Sequence, residues 1–142
     1  MEGLNIEALR KMCELNVIRP LVERFRSGKG AHVWIFFKKA IPAATARNFG
    51  FLLLDKGSTS INLKSFHYYD RMYPSQDVAS SIGNLIALPL QGQALKNGNS
   101  AFVDENWNRK YQKKTSINFF YILINYMISS PTWRRKNFLT AL

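Results

Sequence analysis

The run AHVWIFF at residues 31–37 narrows what this chain can fold into more than any other segment. β-branched and aromatic side chains suit a pleated, packed surface, so the run predicts a mostly buried strand. Immediately upstream, PLVERF at 20–25 can form a short strand, and RSGKG at 26–30 makes a small glycine-rich loop between the two. Residues 4–17 predict a helix: Leu9, Met12, Cys13 and Val17 recur at helical spacing, Glu7, Arg10, Lys11 and Glu14 fall elsewhere, and Pro20 ends the segment. Pro42 suits the first turn of a second helix, with Ala46, Phe49, Leu53 and Leu54 toward a core and Gly57 as its stop after Lys56.

Further along, residues 58–82 are polar and irregular, with an aromatic cluster at Phe66, Tyr68, Tyr69 and Tyr73. NLIALPL at 84–90 reads as a strand, held to an edge or a strand end by Pro89. Asn97-Gly98 predicts a hairpin turn that folds 91–96 onto 99–104 and sets Asp104 opposite Gln91.

The 142 residues suit a single domain with its own core. An apolar share of 46% excludes a chain that is disordered throughout. One cysteine, Cys13, excludes an internal disulfide and any multi-cysteine zinc site. The N-terminus MEGLNIEALRK is charged and amphipathic, without an apolar signal core, so a cytoplasmic location is expected.

Charge is informative about partners. Twenty Lys and Arg against nine Asp and Glu leave a net charge of +11, a balance that favours polyanions. It is uneven, because residues 108–142 hold seven basic and no acidic residues. Within that tail, 117–128 is apolar apart from Asn118 and Asn125, and twelve residues are too few to span a bilayer. A packed helix or strand is one reading of this stretch; a tail foreign to the domain is another. The division expected is therefore 1–107 as a domain and 108–142 as a basic, apolar tail.

Four candidates carry chemistry. Ser27-Gly28-Lys29-Gly30-Ala31-His32 lies between the first two strands, where glycines allow close backbone approach to an anion and Lys29 adds charge. It is not a P-loop, since Gly30 follows the lysine, and such a turn is more commonly a plain hairpin loop. Asp104 ends a predicted strand and could ligate a divalent metal, although such a site needs several oxygens and a lone Asp is more often a cap. Asp70-Arg71 could equally be a surface ion pair. Lys96 stands at a basic turn. There is no HExxH and no GxSxG, which disfavours zinc hydrolases and serine hydrolases.

Taken together, LVERFRSGKGAHVWIFF, IPAATARNFGFLLLDKG, YYDRMYPSQD and GNLIALPLQGQALKNGNSAFVDENW resemble the archaeo-eukaryotic primase domain of TOTE conflict systems, from about residue 5 to residue 107. The resemblance implies an α+β fold with an RRM-like antiparallel sheet and flanking helices. It implies a nucleotidyltransferase that makes or extends oligonucleotides from nucleoside triphosphates on DNA or RNA, with Mg2+ or Mn2+, and that is commonly joined to a helicase-containing polypeptide in DNA replication-like roles. No membrane partner is expected. By the same resemblance Gly30-Ala31-His32 matches the small-x-His motif, with His32 on the triphosphate and Ser27 and Lys29 in support. Asp104 matches the later metal-binding aspartate. Arg71 and Asn84 would lie at the nucleotide and Lys96 at the nucleic-acid backbone.

The departures from the family pattern are equally specific. No Asp-x-Asp occurs in the chain, and the resemblance places that pair before Met1. Phe25 stands where similar sequences carry serine. The expectation is a primase module truncated at its N-terminus and inactive by itself, or else a non-catalytic binding remnant or a degenerate product.

Overall fold

The computed structural model describes residues 2–60, 69–78, 86–110 and 138–141, with side-chain surroundings for 6–59, 69–78 and 86–110. Asn84, Phe66, Tyr68 and the apolar stretch 117–128 lie outside the described residues. The element order is α1 (Glu2–Leu15), β1 (Leu21–Arg24), β2 (Ala31–Phe36), α2 (Ala43–Ser60), β3 (Met72–Tyr73), α3 (Gly92–Lys96), β4 (Phe102–Val103) and β5 (Phe138–Ala141). The five described strands form one sheet in the order β3-β5-β2-β1-β4, and every neighbouring pair is antiparallel. The expected α+β architecture, an antiparallel sheet with helices, is what the chain adopts.

The predicted hairpin of 20–37 forms, with Leu21 opposite Trp34 and Glu23 opposite His32. Because side chains alternate across a strand, Ala31, Val33 and Ile35 face one way and His32, Trp34 and Phe36 the other. The first set meets the helices. Leu9, Met12 and Cys13 of α1 and Ala46 and Leu53 of α2 close over Val22, Val33, Ile35, Met72 and Val103. Each of the Leu, Ile, Val and Met side chains among them contributes roughly 1.5–3 kcal/mol on burial. On the second face, His32 and Trp34 meet edge-on at 5.9 Å, and Trp34 stacks on Phe36 at 6.3 Å.

Four local expectations differ from the structure. Gly57 does not stop the second helix, which continues to Ser60. It lies where α2 crosses α1, and a Cβ there would stand 3.4 Å from Met12 Cγ and 3.6 Å from the Ala8 backbone. The described part of 84–90 is irregular rather than a strand. Asn97-Gly98 does turn the chain, but as the end of helix α3, with Asn97 and Gly98 N–H groups donating to Ala94 and Leu95 carbonyls. Segment 91–96 thus has its hydrogen bonds in a short helix, and β4 pairs with β1 instead, Val103 opposite Val22. Val17, expected on the helix's apolar side, follows the helix end and is 90% exposed.

The tail supplies a strand: Phe138–Ala141 pairs with β2 on one side and β3 on the other. Arg109 also bridges to Val103. Among the described residues, no helix is long and apolar enough to cross a membrane.

Candidate nucleotide-binding face

The loop between β1 and β2 is closed by its own backbone. Phe25 N–H donates to Gly30 O at 2.8 Å and Gly28 N–H to Phe25 O at 3.0 Å. Gly28 takes a left-handed φ of 76°, which a side chain would resist. Ser27 Oγ accepts from the Lys29 N–H at 3.3 Å, so this hydroxyl is already engaged in shaping the turn. Gly30 is small for another reason: a Cβ there would stand 2.8 Å from the Phe25 ring. Phe25 in turn lies over His32, ring centroids 4.5 Å apart.

The turn after α3 is fastened to this loop. Asn99 Nδ2 donates to Arg26 O at 3.2 Å, and Arg24 Nη1 donates to Gly98 O at 3.1 Å. The exposed side chains of Arg26, Lys29 and Lys96 therefore come from two segments that touch at one end of the sheet. That placement joins two candidates far apart in the sequence.

Behind the loop is a polar cluster that the sequence did not reveal. Glu23 is 2% exposed. Its Oε2 accepts the Trp34 Nε1–H at 3.0 Å and meets His32 Nδ1 at 3.1 Å, and its Oε1 accepts the Ser100 hydroxyl at 3.3 Å. Ser100 is fully buried with a left-handed φ of 51°, and it also takes the Gln91 N–H on Oγ at 3.2 Å. A buried carboxylate costs several kcal/mol unless its oxygens are satisfied; here the Trp34 N–H and the Ser100 hydroxyl donate to it, and His32 Nδ1 lies within hydrogen-bond distance. The available signal was register: an acidic residue in one apolar strand and a histidine in the next become cross-strand partners once the RSGKG loop sets the pairing.

Asp104 follows β4. Its Oδ1 accepts the N–H groups of Asn106 at 2.9 Å and Asn108 at 2.8 Å, and so caps the 104–108 turn. Buried Arg10 of α1 donates from Nη2 to the carbonyls of Val103 at 3.2 Å and Asp104 at 2.9 Å, which ties the helix to this strand end. Continuing the β1–β4 register puts position 104 level with Leu21 and Trp34, on the His32 face. On the opposite flank, Met72 and Val33 both pair with Ala141, so Arg71 falls level with His32 two strands away, roughly 10 Å at the usual strand spacing. Arg71 is exposed and meets Asp70 at 3.3 Å; a hydrogen bond with Tyr73 and the Asp70 charge hold it more firmly protonated than usual. The topology thus brings the strands that follow Arg71, carry His32 and precede Asp104 into one sheet.

A divalent cation fits the described residues of this face poorly. Among the described residues no three His, Cys, Asp or Glu side chains converge, and one oxygen of Asp104 already holds a turn. Hard cations take six or more oxygen ligands, of which carboxylates are the main protein donors.

The family model of the TOTE conflict system archaeo-eukaryotic primase domain matches residues 3–118, and the chain belongs to that family. No curated protein and no solved structure gives a significant match. The family is one of primase-type nucleotidyltransferases, which generally use divalent metals.

Proposed function

We propose that this chain binds a nucleoside triphosphate and a nucleic-acid strand on the His32 face of its sheet, as the nucleotide-holding part of a primase-polymerase. One observation supports the reading: the turn that follows Lys96 is hydrogen-bonded to the strand and loop that carry Arg24, Arg26 and Lys29 and lead into His32. Ser27 shapes that loop, Gly30 leaves room for it to close, and Lys29 supplies mobile charge for phosphate oxygens. His32 offers a ring nitrogen at the base of the loop. Arg71, level with His32, and Asn84 would complete the triphosphate contacts, and Lys96 would meet the strand backbone. Asp104 would give at most part of a cation site. In this family the cations supply charge neutralisation at the reacting phosphate. Since the chain has no Asp-x-Asp and its described carboxylates do not converge, the reading is binding without nucleotide incorporation by this chain alone. A helicase-bearing partner belongs to the same proposal.

Titration with a fluorescent ATP analogue tests the first part. His32→Ala should weaken affinity several-fold, and unchanged affinity rejects the role of His32. For the strand, Lys96→Glu should lower affinity for a single-stranded oligonucleotide and flatten its salt dependence, because fewer counterions are released. Manganese-dependent incorporation of labelled nucleotide should be absent from the folded chain. Incorporation abolished by both His32→Ala and Asp104→Ala would overturn the non-catalytic reading.

A further inference from the structure

We infer that Glu23 is a positioning residue that determines which nitrogen of His32 is presented to a ligand. The inference rests on the reading of His32 as a nucleotide contact and adds to it the device that orients the ring.

The argument begins with the indole. A tryptophan N–H can only donate, so the oxygen it meets, Glu23 Oε2, acts there as an acceptor. The same oxygen lies 3.1 Å from His32 Nδ1. A carboxylate has no proton to donate, so with Glu23 ionised the matching partner on the other side is a protonated Nδ1. The Ser100 hydroxyl, donating to Oε1, completes the carboxylate's shell and fixes its plane. His32 is then held on three sides, by the carboxylate at Nδ1, the Phe25 ring at 4.5 Å and the Trp34 edge at 5.9 Å. Its side chain retains 11% exposure, and among the described residues none bonds Nε2. Nε2 is therefore the atom left for a ligand. When it donates to a phosphate oxygen, both ring nitrogens carry protons, and the Glu23 carboxylate is the countercharge already in place behind the ring. Arg24, next in sequence, is committed to the Gly98 and Trp107 carbonyls, so it does not compete for that carboxylate.

Two measurements test this. The first uses the unmodified chain with uniform 15N labelling. Two-bond 15N–1H correlation spectra report the protonation of each imidazole nitrogen, and His67→Gln assigns the signals, since the chain has only two histidines. A protonated Nδ1 on His32 at neutral pH is expected; a bare Nδ1 with a proton on Nε2 overturns the assignment. The second is a binding cycle with the ATP analogue. Glu23→Gln keeps an oxygen for His32 and Trp34 and an amide for Ser100, and removes only the charge. It should weaken affinity about three- to ten-fold, with no further loss when His32→Ala is already present. An equal loss in the His32→Ala background makes Glu23 merely structural and overturns the proposal. Should His32→Ala leave affinity unchanged, the nucleotide reading fails, and the 15N spectra still decide whether Glu23 orients the ring. They decide equally if Glu23→Gln does not fold.

Discussion

Val17 stands where helices commonly place glycine. Ile18 N–H donates to Cys13 O at 2.8 Å and Val17 N–H to Glu14 O at 3.0 Å, a Schellman ending of α1 that obliges Val17 to take a φ of 58°. A β-branched residue in the left-handed region costs roughly 1–2 kcal/mol. Glycine would remove that strain and cost roughly 0.5–1 kcal/mol in chain entropy. The balance favours Val17→Gly by about 0.5–1 kcal/mol, and urea unfolding should show the midpoint moving up with an unchanged slope. A lower midpoint would mean the left-handed turn is not populated. The spacing of apolar residues placed Val17 inside the helix because it repeats at helical intervals, whereas the end of a helix is set by hydrogen bonds that spacing does not report.

At the scale of elements, the α1–α2 crossing places a small residue, Gly57, against α1. The expected stop at this glycine rested on its conformational freedom, yet its backbone continues the helix and it packs against α1 at Ala8 and Met12. An added methyl would lie at ordinary contact distance, 3.4 Å from Met12 Cγ. Gly57→Ala should therefore stabilise by about 0.5–1 kcal/mol through helix propensity, whereas Gly57→Leu should destabilise by about 1–3 kcal/mol through overpacking. Thermal melts of the two variants, moving in opposite directions, would confirm the crossing; a harmless leucine would refute it. The same distinction separates the two hairpin predictions. The RSGKG loop joins strands that each have a packed face waiting, and it forms as expected. Asn97-Gly98 has a real turn but no second strand, because Leu95 finds burial in a short helix and Phe102 finds its partner strand in β1.

For the whole molecule, Cys13 reports on the packing of helices against sheet. It is the single cysteine, fully buried in the core, and burial, with a smaller contribution from the Glu14 charge, pushes its thiol up to about 11 from the ordinary 9.0. The native state thus keeps its proton at a pH where the unfolded chain releases it. The associated stability is complete below about 9 and is lost as pH rises toward about 11. Thiol labelling at pH 8 should be slow in buffer and fast in denaturant. Rapid labelling without denaturant would show that the helix layer does not close over the sheet. The net charge of +11 acts at this scale as well, favouring polyanion binding that weakens as salt screens it.

Read alone, the sequence determined the local elements whose pattern is strong: the α1 segment, the β1–loop–β2 hairpin, the start of α2, the basic balance and the family. These depend on periodicity, glycine and charge, which neighbours in the chain carry by themselves. The tertiary structure decided which residues share a face. Glu23 became the partner of His32 and Trp34 through strand register, the strands next to Arg71 and Asp104 came into one sheet with β2 through strand order, and the turn after Lys96 was tied to the loop of Lys29 through Asn99 and the Arg26 carbonyl. A single chain reveals such pairings only when it is folded, because a one-residue slip of register would send each of those side chains to the opposite face.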